Sequence, residues 1–95
     1  MVARIYGLYD GESLLYIGRT TMPLTRRLAY HKRKPAGLLR WFLKFNPLLI
    51  LTIDLIEETT IESMVKREQY WIDIYNPQYN TAGTAKYKAL SNVIS

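Results

Sequence analysis

Residues 4–20 read "RIYGLYDGESLLYIGRT", two runs rich in aromatic and aliphatic residues on either side of an Asp-Gly. Runs of that kind around Asp-Gly form a β-hairpin, because Gly supplies the positive-φ backbone that a tight turn between twisted strands needs. The strands are expected over residues 3–9 and 13–19, joined through "DGES". A hairpin accounts for the apolar pattern but leaves two hydroxyls over, those of Tyr6 and Tyr16, each set among aliphatic neighbours. Register decides where they go, since side chains alternate along a strand and a one-residue slip sends one tyrosine to the other face. A turn centred on Gly11 pairs residues whose numbers sum to 22, sets Tyr6 opposite Tyr16 and puts both on one face. A strict two-residue Asp-Gly turn separates them. The three-residue or bulged loop that "DGES" also permits is the expected one, because it lets both hydroxyls share a site.

Outward from the hairpin, "TTMPLTRRLAYHKRKP" (20–35) offers Thr20 and Thr21 as caps and Pro23 early in a helix that Pro35 ends. A second helix fits "AGLLRWFLKFN" (36–46), with Leu38, Trp41, Phe42 and Phe45 on one stripe and Arg40 and Lys44 on the other side. "LLILTIDLI" (48–56) reads as a buried strand. "TTIESMVKREQYWIDIYN" (59–76) reads as a Thr-capped amphipathic helix that Asn76-Pro77 stops. The order is ββααβα, an α+β layout of a small sheet with helices packed on it. Residues 84–95 are weakly patterned, a frayed end or the start of an extension.

With 95 residues, 48% of them hydrophobic, one small packed domain is expected and two are excluded. The absence of cysteine rules out disulfides and thiolate metal sites, and suits a reducing cytoplasm, that of the cell itself or of a viral host. The longest apolar stretch is far short of a bilayer span, so no membrane partner is expected. Net charge is +5, unevenly spread: residues 1–48 carry nine Lys/Arg against two acids, residues 49–95 four against six. Eight cations fall between Arg19 and Lys44, and no acid lies between Ser13 and Ile53. Such a segment suits a phosphate backbone, held through counterion release; it is equally what an ordinary solvated basic face looks like.

Polar residues interrupt two helical faces. In the last helix Ile61, Met64, Val65, Ile72 and Tyr75 make one apolar stripe with Glu68 in its middle. A carboxylate there needs a partner: a structural ion pair with Arg4 or Arg27, a hydrogen-bond network, or a bound cation. In the first helix Leu24, Arg27, Leu28 and His31 share the sheet-facing stripe. A lone inward His is commonly a satisfied core residue, but one a turn beyond an inward Arg suits phosphate chemistry, with Arg as an oxygen clamp and His as donor or proton carrier.

These residues, in this order, resemble the GIY-YIG endonuclease family. Tyr16-Ile17-Gly18 matches the second signature, and "RIY" the first, with Arg4 where the family has Gly. "RRLAYH" resembles the helix carrying the family's Arg (Arg27) and frequent His (His31), "REQYWID" the helix carrying its metal-binding Glu (Glu68), and "NPQYNTAG" the segment carrying its Asn (Asn80). The match runs over about residues 3–83, and these pieces look more like the phage, intron-encoded homing and repair-type nucleases than the smallest members.

The resemblance implies a three-stranded antiparallel sheet flanked by helices and a DNA endonuclease that hydrolyses a phosphodiester with one Mg²⁺ or Mn²⁺. Glu68 would hold the metal, and Arg27 would stabilise charge on the phosphate. Tyr6 or Tyr16 would orient or deprotonate water, with the base assigned to Tyr6. His31 would relay the proton or assist the other tyrosine, and Asn80 would hold a loop or the product-side backbone. Gly18 would permit close approach.

DNA contact is expected from Arg4, Arg19, Arg26, Lys32, Arg33, Lys34, Arg40 and Lys44, with salt-sensitive and largely sequence-indiscriminate binding by a monomer or transient dimer. The alternative is a degenerate module that grips nucleic acid with the same basic patch and does not cut.

Overall fold

A computed structural model describes residues 1–35 and 37–80. The segments 81–83 of the resemblance and 84–95 of the C-terminal tail lie outside the described residues. The element order is β1 (Val2–Asp10), β2 (Ser13–Thr20), α1 (Leu24–Arg33), α2 (Gly37–Phe45), β3 (Leu51–Thr60) and α3 (Met64–Tyr75). The strands form one antiparallel sheet in the order β2-β1-β3, and the chain is the expected α+β domain of order ββααβα.

The centre of the sheet is β1, which explains why "IYGL" is apolar without alternation: it is covered on both faces. Tyr6 and Leu8 face a core of Leu15, Leu39 and Leu51, joined by Leu24 and Leu28 of α1 and Phe42 and Leu43 of α2. Ile5 faces the other way, with Ile17 of β2 and Ile72, Met64 and Trp71 of α3. The sheet is therefore sandwiched, with α1 and α2 on one side and α3 on the other. β3 is an outer strand, half-exposed along its length, and not the buried strand its composition suggests.

The hairpin reaches the expected face by an unexpected route. Asp10 pairs with Ser13 across a two-residue loop, Gly11-Glu12, with Gly11 at φ +59°, the position at which a tight hairpin turn requires Gly. Continued regularly, that register would have put Tyr16 on the face opposite Tyr6. A bulge intervenes: Tyr9 pairs with Leu14 and Leu8 with Tyr16, leaving Leu15 extra. A bulge sets two successive side chains on one side, and Leu15 and Tyr16 both join the Tyr6 core. Tyr6 accordingly lies opposite Gly18, not opposite Tyr16. A second bulge, in β3 at Ile56, lets Ile56 pack toward α3 beside Glu57.

Three further expectations are corrected. Neither Thr20 nor Thr21 caps α1; Pro23 is its N-cap, and Thr20 Oγ1 accepts from the Met22 N–H at 3.0 Å in the preceding turn. In α2 the buried face is Leu39, Phe42 and Leu43, whereas Leu38, Trp41 and Phe45 are exposed. In α3 the packed stripe is Met64, Trp71 and Ile72 with Glu68 among them, while Ile61, Val65 and Tyr75 are exposed. The roll of α3 is fixed by Glu57 of β3, which accepts from Arg67 Nε at 2.9 Å and Trp71 Nε1 at 2.7 Å. That anchor outweighs the aliphatic periodicity of the helix.

Candidate active site

The hydroxyl of Tyr6 is the hub. Its ring is fully buried, and it leans from β1 across the strand pair onto Gly18 of the edge strand. A Cβ on residue 18 would collide with the Tyr6 hydroxyl and ring and come within 2.9 Å of the Tyr16 ring. The close approach expected of Gly18 is thus made by Tyr6. At that point two residues of α1 converge on the phenol: Arg27 Nε donates to the Tyr6 oxygen at 3.1 Å, and His31 Nε2 lies 2.6 Å from it. Positions 27 and 31 are one turn apart and so share a helix face. Arg27 can only donate, and no other acceptor for the phenolic proton lies among the described residues, which assigns the tautomer in which Tyr6 donates to Nε2 of His31 and Nδ1 carries the ring proton.

Burial sets the charge states. Desolvation raises the Tyr6 pKa well above its ordinary value, against the hydrogen bond from Arg27. Tyr16 is also raised, again by burial first and then by the field of Glu68. His31, 6% exposed, is pushed down to about 4 by burial and by the neighbouring Arg27 cation. Near neutral pH the cluster therefore holds a protonated Tyr6, a neutral His31 and a cationic Arg27. Only Nε of Arg27 is hydrogen-bonded to a side chain; the guanidinium lies over the Tyr30 ring, 5.0 Å from its centroid, and among the described residues its two Nη groups have no hydrogen-bond partner. The Tyr16 hydroxyl likewise has none among the described residues, and its ring meets His31 edge-on at 5.4 Å and Tyr6 at 6.4 Å.

Glu68 comes from the other side. On α3, with its side chain 16% exposed, it pairs with Arg19 of β2 at 2.5 Å. Its partner is therefore neither Arg4 nor Arg27, because β2 turns Arg19 onto the α3 face, while Arg4 is turned to the Tyr6 face and lies across from Glu58, at 3.9 Å. Helices on opposite faces of a sheet share space only around its edge, and β2 is that edge. Arg27 and Glu68 do interact electrostatically, and Glu68 acts on both tyrosines. Burial raises the Glu68 pKa in spite of Arg19, so one cation does not fully compensate the carboxylate. No group of three or more His, Cys, Asp or Glu gathers as a metal cage among the described residues.

Asn80 holds the edge strand itself. Its Oδ1 accepts from the Ile17 N–H at 2.8 Å and its Nδ2 donates to the Ile17 carbonyl at 2.6 Å. Beside it, the Tyr79 N–H donates to the Leu15 carbonyl at 3.1 Å. Residues 79 and 80 thus stand in for a missing neighbour strand and fix the backbone between Tyr16 and Gly18. The Asn80 side chain is thus bonded to the Ile17 backbone and to neither tyrosine hydroxyl.

The structure gathers Tyr6, Tyr16, Arg27 and His31 tightly, sets Glu68 around the sheet edge, and places Asn80 behind them. Of the expected DNA contacts, Arg26, Lys32, Arg33, Lys34, Arg40 and Lys44 are exposed and form no ion pair among the described residues, while Arg19 and Arg4 are engaged by Glu68 and Glu58. Sequence reasoning missed Arg19 as the partner of Glu68 and Glu57 as the anchor of α3. The Arg19 pairing had a signal, its strand alternation with Ile17, but that reads only once the bulge is known. No family model, curated protein or solved structure matches the chain significantly.

Proposed function

We propose that the chain is a divalent-metal-dependent DNA endonuclease of GIY-YIG type that hydrolyses a phosphodiester at the β2 edge. The observation that carries this reading is the Arg27–Tyr6–His31 chain of hydrogen bonds beside a mostly buried Glu68. A purely structural core gains nothing from placing a phenol, an imidazole, a guanidinium and a carboxylate together, since each costs desolvation.

The roles follow from the free valences. The Nη groups of Arg27, which have no hydrogen-bond partner among the described residues, bind a non-bridging phosphate oxygen and stabilise the charge that accumulates as water attacks. The Tyr16 hydroxyl, without a hydrogen-bond partner among the described residues, orients that water or the phosphate. Tyr6 serves as base through His31 once substrate entry uncovers its oxygen: that oxygen takes a proton from water as its own proton passes transiently to Nε2 of His31, whose charged form burial and Arg27 disfavour, and no buried phenolate accumulates. Glu68 fits a hard cation, being a desolvated carboxylate only partly compensated by Arg19, and a single protein carboxylate suffices for an ion that keeps most of its waters. Such an ion would neutralise the scissile phosphate and the leaving oxygen. Arg19 must release the carboxylate to admit it.

The ion pair between Arg19 and Glu68 favours a second reading, a nucleic-acid-binding module that does not cut. Incubation with supercoiled plasmid in Mg²⁺ or Mn²⁺ separates the two. The endonuclease reading expects nicked or linear product, its loss in EDTA, and a fall of ~10²–10³ in rate for Arg27→Ala. Retention without any cleavage in either metal points to the binder.

A further inference from the structure

We infer that the outer face of α2 is a stacking platform for unpaired nucleobases, which makes single-stranded, looped or distorted DNA the preferred substrate. The inference rests on the nucleic-acid part of the proposed function. Trp41 is 53% and Phe45 73% exposed, yet their rings stack with centroids 6.2 Å apart and planes 20° from parallel. Lys44 lies over the Trp41 ring, its ammonium 5.2 Å from the centroid. Past the helix end, Phe45, Asn46, Pro47, Leu48 and Leu49 line a concavity of about 310 Å³, and Leu48 is 94% exposed. The apolar rings that the periodicity of α2 assigns to the core are thus on the outside, because Leu39, Phe42 and Leu43 fill the core instead.

Charge identifies the occupant. The rings are interleaved with the exposed Arg40 and Lys44, and no carboxylate occurs anywhere between Ser13 and Ile53. An apolar protein partner would gain nothing from such a one-signed surround. A nucleic-acid strand offers both complements at once, a π-face for the rings and a phosphate for each cation. In an intact duplex the bases are already stacked on one another, so the platform discriminates in favour of unpaired ones. α2 packs on the same sheet face as Tyr6 and Arg27, so a strand held there lies on the side from which α1 approaches the hub.

The test is binding of labelled oligonucleotides in EDTA, so that cleavage plays no part. The probes are a single strand, the same strand with abasic residues at its centre, and the corresponding duplex. Trp41→Ala is expected to weaken single-strand binding about tenfold while leaving the salt slope and the duplex affinity nearly unchanged. Phe45→Ala should act in the same direction, and the abasic strand should bind wild type about as weakly as the intact strand binds Trp41→Ala. Lys44→Ala should instead flatten the salt slope by about 0.7. Equal affinity of wild type and Trp41→Ala for the single strand overturns the inference, as does an abasic strand bound as tightly as the intact one. A concentration-dependent dimer dissolved by Trp41→Ala without change in oligonucleotide affinity also overturns it and assigns the face to a second copy. If plasmid is not cut but the Trp41 dependence persists, the platform stands and the endonuclease reading falls; if plasmid is cut and Trp41→Ala is silent, the reverse holds.

Discussion

Gly18 shows how little room the site leaves. It is one of the two glycines buried in the sheet, and what fills the space over it is the Tyr6 phenol, whose hydroxyl must reach Arg27 and His31 at the same time. Gly18→Ala should therefore displace Tyr6, cost ~1–3 kcal/mol of stability from overpacking, and break both hydrogen bonds to the hub. Denaturant midpoints and the His31 imidazole NMR signals report the two effects; an unmoved His31 resonance would show that the ring tolerates the methyl. His31 carries a second consequence. Its folded-state pKa of about 4 lies below its ordinary 6.5, with burial the main cause and Arg27 the second. Between those values the unfolded chain binds a proton that the folded chain refuses, so stability falls as pH falls through that window and is untouched above it. The loss amounts to ~3 kcal/mol once pH is below both values. Glu68 has the opposite sign, since its pKa is raised by burial and protonation relieves the folded state. Urea midpoints at neutral pH and near pH 5 should thus separate for wild type and converge for His31→Gln. Equal slopes in both proteins would remove His31 as the cause.

At the scale of elements, the lesson lies in bulges and anchors. The hairpin, the first two helices and the sheet-facing Arg27 and His31 are legible, because an Asp-Gly between apolar runs, prolines at helix boundaries and a one-turn spacing each express a local rule; the start of α3 is not, since Thr59 and Thr60, which read as its cap, end β3 instead, and the strand runs over Leu51–Thr60 rather than 48–56. The register was not legible. A two-residue turn and a bulge at Leu15, past the turn, cancel to give the same-face tyrosines expected of a three-residue or bulged loop, and a bulge has no composition of its own. The stripes of α2 and α3 were misassigned for a related reason: periodicity shows that a helix has an apolar side but not which of two adjacent stripes the sheet selects. Glu57 selects it for α3 through Arg67 and Trp71. Asn80 plays the corresponding part for β2. Asn80→Ala strips the Ile17 N–H and carbonyl of their partners, and each buried unsatisfied group costs ~1–3 kcal/mol. Asn80→Asp keeps the acceptor for the N–H and should fall between. Amide exchange at Ile17 reads this directly, with protection expected to drop in the order wild type, Asp, Ala. Unchanged protection in Asn80→Ala would mean that the edge is held by something else.

Across the whole molecule, function depends on a division of charge that the sequence displays openly. Six cations of the first half project into solvent from α1, its C-terminal end and α2, Glu57 and Glu58 of the second half pair with Arg67 and Arg4, and the one acid that joins the hub, Glu68, does so around the edge of β2. None of the described helices is long and apolar enough to cross a membrane. Six exposed cations neutralising six phosphates imply a duplex-binding salt slope of about −5, so affinity should fall by ~10³ between 50 and 200 mM salt. Replacing Lys32 and Arg33 together by Ala should flatten the slope by about 2, and a slope that stays fixed would place the DNA elsewhere. The measurement that bears most directly on the central claim is single-turnover cleavage of DNA in Mg²⁺ by wild type and Glu68→Gln at matched DNA occupancy. Loss of cleavage in Glu68→Gln with binding retained is the predicted result, since glutamine keeps the shape and discards the charge that a cation needs. Cleavage by Glu68→Gln at the wild-type rate would contradict a hydrolytic centre built on this carboxylate.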